Sequence, residues 1–133
     1  MSFRAGGYSK FENNTSTGHG GVLYAALEAS VTIDGNSTLK DNIALLEGGA
    51  FFSGSHLQLL ATGSAALLRN IAGKGGLAYS IGSMDISFMG KANVMEQSAQ
   101  QGGVAYSEAT TSLFITSAPL FGPNAVAGVI NVI

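Results

Sequence analysis

The sequence contains no cysteine, and this absence excludes a group of structures and chemistries. A chain of 133 residues without cysteine has no disulfide framework, no thiolate zinc site and no cysteine nucleophile. Charged residues make up only 11% of the chain and proline occurs twice, whereas hydrophobic residues make up 46%. Because disordered chains are rich in charge and poor in apolar residues, this composition predicts one folded domain with a real core.

Long hydrophobic runs and a strong net charge are also absent. No run approaches the roughly 18 apolar residues that a transmembrane helix needs, and no signal peptide is visible at the N-terminus. The formal net charge is -2 at pH 7, which disfavours nucleic acid and anionic membrane surfaces as partners. The sequence therefore predicts no nucleic-acid partner and no direct membrane insertion.

The chain does contain an internal repeat. A polar amide residue marks the middle of each unit, at intervals of 28, 28, 27 and 27 residues: Asn14, Asn42, Asn70, Gln97 and Asn124. An apolar residue stands three positions before each marker, and a Gly-Gly pair follows each of the first four markers within seven residues. So many columns agree on one anchor that the repeat is secure, and repeats of this length are typical of solenoid proteins.

Each unit predicts three short strands separated by turns. Apolar and polar residues alternate in the first part of the unit, and shorter apolar pieces precede the marker and follow the Gly-Gly pair. Three strands in about 27 residues, without helical periodicity, are typical of one coil of a parallel β-helix. We therefore expect an all-β, right-handed parallel β-helix of about five coils of 27–28 residues, forming one segment over residues 1–133.

The repeat also predicts which side chains face inward and which charges meet. Apolar residues at fixed offsets predict the core: Val31, Ile33, Leu39, Leu59, Leu67, Ile86 and Phe88. Charged columns carry opposite signs on neighbouring coils: Glu12 with Lys40, Asp41 with Arg69 and Glu96, and Glu47 with Lys74. We expect these charges to form cross-coil pairs that support the register.

Two columns are candidate sites. The marker column (Asn14, Asn42, Asn70, Gln97 and Asn124) predicts a structural ladder of hydrogen bonds between coils. An aromatic column follows the Gly-Gly pairs: Tyr24, Phe52, Tyr79 and Tyr106. Alternation places these rings on the face of Val22, Ala50, Leu77 and Val104. The rings are interpreted either as a buried stack or as an exposed face that binds sugars.

No column predicts catalysis or metal binding. Sugar-cleaving β-helices need clustered acids, and here no two acidic residues align on neighbouring coils. His19 and His56 occupy different columns, which disfavours a histidine-based site. We therefore expect no catalytic residue, no cofactor and no metal.

Two short motifs connect the repeat with a known family. Phe11-Glu12-Asn13-Asn14 and Phe121-Gly122-Pro123-Asn124 have the form Phe-x-x-Asn, and Gly48-Gly49-Ala50-Phe51 has the form Gly-Gly-Ala-hydrophobic. Together they resemble the passenger repeats of the chlamydial polymorphic membrane proteins, which are surface autotransporters. The resemblance implies an extracellular or cell-surface location and a role in adhesion.

Two functions remain open at this point. The first is a non-catalytic module for adhesion or scaffolding, with an unidentified protein or glycan at a cell surface as its partner. The alternative is a carbohydrate-active β-helix, a lyase or hydrolase, whose active residues lie outside this segment. Because neither end shows the polar cap that solenoids need, we also expect a fragment of a longer solenoid that associates end to end through its exposed strand edges.

Overall fold

The computed structural model describes residues 1–116, 120–121 and 130–132. Throughout these ranges the regular structure is short parallel β-strands, and no helix, hence none able to span a membrane, is present. The strands stack as a β-solenoid that completes four coils and begins a fifth. This confirms the expected all-β parallel architecture.

Four parallel sheets run along the stack, and each of the first four coils contributes one strand to each sheet. The first sheet contains β1 (Ser2–Ala5), β5 (Ala29–Ile33), β9 (Leu57–Ala61), β13 (Met84–Phe88) and β17 (Thr111–Ile115). The second contains β2 (Lys10–Glu12), β6 (Thr38–Lys40), β10 (Ala66–Leu68), β14 (Asn93–Met95) and β18 (Leu120–Phe121). The third contains β3 (Thr15–Ser16), β7 (Ile43–Ala44), β11 (Ile71–Lys74) and β15 (Ser98–Gln101). The fourth contains β4 (Leu23–Ala25), β8 (Phe51–Ser53), β12 (Ala78–Ser80), β16 (Ala105–Ser107) and β19 (Ile130–Val132).

The third sheet was not expected, because the sequence predicts three strands per coil and this sheet adds a fourth strand to each of the first four coils. Its strands begin directly after the marker residues, and β3 and β7 have only two residues each. Two residues cannot show an alternating pattern, so the sequence could not reveal this fourth strand.

The register agrees with the repeat. Val31 pairs with Phe3 on one side and with Leu59 on the other, while Leu67 pairs with Leu39 and Val94. The apolar residues predicted for the core are all fully buried: Val31, Ile33, Leu39, Leu59, Leu67, Ile86 and Phe88. Equivalent side chains therefore stack along the axis of the solenoid and form one continuous core.

Candidate functional site

The marker residues form a ladder of hydrogen bonds at one corner of the coils. Asn42 Nδ2 donates to Asn70 Oδ1 at 2.8 Å and to the carbonyl oxygen of Phe11 at 3.0 Å. Asn70 repeats the pattern, because its Nδ2 donates to Gln97 Oε1 at 3.0 Å. The side chains of Asn42, Asn70 and Gln97 are completely buried, whereas Asn14 at the first coil is exposed. The ladder thus satisfies polar groups that burial would otherwise leave unpaired.

Gln97 fits the ladder despite its longer side chain. Its Nε2 donates to the carbonyl oxygen of Leu67 at 2.5 Å and to that of Met95 at 2.9 Å, while its Oε1 accepts from Asn70. The additional methylene group lets the amide reach Met95 on its own coil. The fifth predicted rung, Asn124, lies outside the described residues.

The residue before each rung has a left-handed backbone conformation. These residues are not glycines, and their φ angles lie between 50° and 57°: Asn13, Asp41, Arg69 and Glu96. Positive φ is uncommon for side chains such as arginine and glutamate, so the ladder corner holds them in an unfavourable conformation. Asn13 and Asp41 are of residue types that tolerate such a conformation, but Arg69 and Glu96 are not, which is why the pattern did not reveal the corner.

The same corner carries the charged columns. Arg69 donates two hydrogen bonds to the Asp41 carboxylate, at 2.8 and 2.9 Å, and lies 3.8 Å from Glu96. Hydrogen bonding to Arg69 lowers the pKa of Asp41 below its usual value. Lys40 lies 3.6 Å from Glu12. Two of the three expected charge columns therefore contain cross-coil ion pairs.

The aromatic column forms a continuous stack. The ring centroids are separated by 5.0 Å from Tyr24 to Phe52, by 5.4 Å from Phe52 to Tyr79, and by 5.5 Å from Tyr79 to Tyr106. The planes of neighbouring rings differ by at most 10°. Phe52, Tyr79 and Tyr106 are buried, and of the four rings only Tyr24 is exposed, at 53%. Within this stack, an aromatic surface for a ligand is therefore offered by the Tyr24 ring.

The stack lies outside the core, although alternation along the strands predicts a shared face with the residues two positions earlier. Those earlier residues pack in or against the core: Val22, Ala50, Leu77 and Val104. The rings of Phe52, Tyr79 and Tyr106 form a separate cluster. Alternation fails because the backbone N–H groups of Val22 and Leu23 both donate to the carbonyl oxygen of Ala50, at 2.9 and 3.0 Å. Two consecutive residues therefore face the core, and the predicted shared face is wrong.

Side chains from the preceding turn cover the stack. The His19 ring lies 4.5 Å from the Phe52 ring, and its Nδ1 lies 2.5 Å from a Glu47 carboxylate oxygen. Lys74 places its Nζ 5.2 Å from the centre of the Tyr106 ring. Glu47 and Lys74 are bridged through their backbones, but their side chains turn to these other partners. The prediction of an ion pair between Glu47 and Lys74 is therefore wrong.

Tyr79 connects the stack to the last described coil. Its hydroxyl group donates a hydrogen bond to the Glu108 carboxylate. Burial, together with this hydrogen bond and the negative charge of Glu108, raises the pKa of Tyr79 above its usual value. The phenol is therefore neutral and acts as a donor at neutral pH, which is a structural role.

A second buried ladder was missed in the sequence. Ser53, Ser80 and Ser107 each directly follow a buried ring of the aromatic stack, and all three are fully buried. Each hydroxyl group lies within hydrogen-bonding distance of two carbonyl oxygens of nearby turns; Ser53 Oγ, for example, lies 2.6 Å from that of Leu27 and 2.8 Å from that of His56. The signal was the recurrence of serine at one offset in three successive units.

A polar cluster on the outside of the first sheet was also missed. His56 Nδ1 lies 2.7 Å from Ser83 Oγ, and His56 Nε2 lies 3.5 Å from an Asp85 carboxylate oxygen. His56 and Ser83 occupy equivalent positions on successive coils, so their column contained the signal. Within the described ranges no group of three or more metal-binding side chains occurs. The cluster connects two coils through side chains that remain partly exposed.

A groove of about 280 Å³ opens on the outside of the third sheet. It lies beside a protrusion formed by Leu45 and Leu46, whose exposed fractions are 62% and 51%. The lining combines these two side chains with polar ones: Glu47, Lys74, Gln100 and Gln101. Gly73 forms part of the groove wall and contributes no side chain. The groove thus places apolar, amide and charged groups together on one lateral surface.

Comparison with known proteins identifies the type of repeat. The family model of the Chlamydia polymorphic membrane protein repeat matches residues 9–26. This segment contains the Phe11-x-x-Asn14 motif, the first Gly-Gly pair and Tyr24, the exposed ring of the stack. No curated protein and no solved structure matches the chain. The chain therefore carries a repeat of the chlamydial polymorphic membrane protein type, as its two motifs indicated.

Proposed function

We propose that the chain is a non-catalytic adhesion or scaffolding module, located at a cell surface or outside the cell. The repeat match at residues 9–26 carries this proposal, because it covers a marker residue and a Gly-Gly pair whose counterparts recur in each of the first four coils. The repeat and the β-solenoid fit a module of the surface type. A stack of coils held by internal ladders makes a stiff rod with flat sides, which is suitable for presenting a partner-binding surface.

The use of the polar side chains supports a non-catalytic role. The buried amides of Asn42 and Asn70 bond to neighbouring coils, and Arg69 bonds to Asp41. The carboxylate of Glu47 lies against His19. These groups hold coils together, and their contacts leave little free chemistry at these positions. Binding through the lateral surfaces is the function that this arrangement favours.

Beads coated with the purified chain provide the test of adhesion. Folded protein on the beads should bind to cultured cell monolayers saturably, and free protein should compete. The matched control is Leu67→Asp, which places a charge in the core and should unfold the chain. Equal binding by wild-type and control beads would contradict the proposal. So would release of reducing ends or unsaturated sugars from a polysaccharide panel, because that result identifies an enzyme.

Self-association is the second part of the proposed function. Within the described part of residues 1–133, β1 to β4 are each paired on one side only, so a purified polypeptide of these residues presents unpaired strand edges at its first coil. The Tyr24 ring is stacked on one side and exposed on the other. Open edges of this kind recruit further strands, so the expected partner is another copy docked end to end.

A further inference from the structure

The groove on the third sheet arises from a change in the length of the coils. Five residues lie between Asn42 and the first glycine of its Gly-Gly pair, but only four lie between Asn70 and its own pair. The longer coil places its additional residue at the Leu45–Leu46 turn. The N–H group of Lys74 on the shorter coil donates to the carbonyl oxygen of Leu46 at 3.0 Å. The two leucines therefore project beyond the shorter coil below them.

A glycine is required at position 73 for Leu45 and Leu46 to project over the shorter coil. A methyl group at Gly73 would lie 2.6 Å from the carbonyl oxygen of Leu46. The absence of a side chain at Gly73 lets the backbone of the longer coil approach closely, and it leaves space beneath the leucines. The groove is thus built into the repeat, and it depends on neither end of the chain.

The two charged side chains in the groove, Glu47 and Lys74, differ in their contacts. The Glu47 carboxylate lies against the His19 ring, with 2.5 Å between the carboxylate oxygen and Nδ1. Lys74 lies over the Tyr106 ring, and it forms no ion pair with any of the described residues. An ammonium group without a carboxylate partner attracts an anionic group on a ligand. The groove therefore favours a ligand that is apolar on one side and acidic on the other.

We infer that this groove binds an extended peptide segment of a partner protein, in which an apolar side chain stands next to an acidic one. The inference rests on the proposed function and names the chemistry of its partner. The apolar side chain packs on Leu45 and Leu46, and the carboxylate reaches Lys74. The amides of Gln100 and Gln101 each donate and accept, as the hydrogen-bonding groups of a peptide backbone require. A sugar is disfavoured because the aromatic rings nearest to Lys74 are buried.

Nuclear magnetic resonance titration at pH 7 tests the inference with a defined probe, acetyl-Ala-Leu-Asp-Ala-amide. The groove accommodates only one or two side chains, so the expected dissociation constant is about 0.1–1 mM. The backbone amide signals of Gly73, Lys74, Gln100 and Gln101 should shift most. A second peptide with lysine in place of aspartate should bind at least about fivefold more weakly, a difference of about 1 kcal/mol.

Two variants in the groove have matched controls elsewhere on the surface. Lys74→Gln should remove the preference for the acidic peptide, and Leu46→Ser should weaken the binding of both peptides. Lys91→Gln and Leu27→Ser change an exposed lysine and an exposed leucine outside the groove, and they should leave both affinities unchanged. Urea unfolding of each variant verifies that the fold is intact.

Three results would overturn the inference: equal affinity for the two peptides, shifts confined to other surfaces, or shifts of the groove amides by cellotetraose. The bead assay separates this failure from failure of the proposed function. Adhesion without peptide binding contradicts only the inference, whereas peptide binding without adhesion contradicts the proposed adhesive function.

Discussion

A methyl group on Gly49 would lie 2.0 Å from the carbonyl oxygen of Gly76 on the next coil. No real contact is that short, so the backbones at this corner are close enough to exclude every residue except glycine. The first position of the pair requires glycine for a different reason: Gly48 has a positive φ angle of 64°. The Gly-Gly motif therefore joins a turn that needs positive φ to a close stacking of backbones.

Gly49→Ala should destabilise the chain by about 3 kcal/mol or more, because the added methyl group overpacks a rigid backbone contact. Gly18→Ala is the matched control, since a methyl group at Gly18 meets nothing within 4 Å and its φ is not positive. It should change the free energy of unfolding by less than about 0.5 kcal/mol. Urea unfolding of both variants checks the prediction, and similar effects at the two glycines would contradict it.

The ladder corner gives the second prediction. Asn42→Ala and Asn70→Ala should each reduce the free energy of unfolding by about 1–3 kcal/mol, because buried partners lose their hydrogen bonds. Asn14→Ala should cost less than about 1 kcal/mol, since water can replace an exposed amide. Chemical denaturation measures all three variants. If the buried and exposed positions respond alike, the ladder does not stabilise the fold.

A pH dependence follows from the Asp41–Arg69 pair. The pKa of Asp41 is lower in the folded chain than in the unfolded chain, chiefly through its hydrogen bond to Arg69. The stabilisation is therefore present above the unfolded value of about 3.9 and is lost as the pH falls through the folded value. Asp41→Asn should reduce the loss of stability between pH 7 and pH 3.

Arg69→Gln provides the control for this pair. It should remove the same pH-dependent contribution as Asp41→Asn, and the double variant should show no further reduction. The pair is exposed to solvent, so the effect should be small and should decrease with added salt. An unchanged pH profile in both single variants would show that the pair contributes nothing.

Self-association gives the fourth prediction. The open edges of the first coil should produce end-to-end oligomers, so the weight-average mass should increase with concentration. Analytical ultracentrifugation over a hundredfold range around micromolar concentration measures this. Replacing Phe3, whose side chain is only partly buried at this end, by lysine should suppress association. A stable monomer at all concentrations would contradict the prediction.

The sequence predicted the features that depend on one residue per column. Val31, Leu39 and Leu67 were assigned to the core correctly, because each keeps its offset from the marker residue in every unit. The ion pairs of Arg69 followed from the same alignment. Such columns are readable because a solenoid places equivalent residues directly above one another.

Features that depend on local backbone geometry were not predictable. The aromatic stack was placed on the wrong face because Val22 and Leu23 both donate to one carbonyl group, which interrupts the period of two. Arg69 gives no hint of its positive φ, since the corner and not the residue type imposes it. The groove required a comparison of turn lengths, because it lies where a longer turn protrudes over Gly73.

The repeat folds as one continuous stack with its columns in register. The cysteine-free chain allows spin labels at two introduced cysteines, Ser2→Cys and Ser112→Cys, at equivalent positions four coils apart in the first sheet. Pulsed electron paramagnetic resonance should give one narrow distance distribution centred near 19 Å, because parallel strands are spaced about 4.8 Å apart. A broad distribution, or a centre beyond about 30 Å, would contradict the stack.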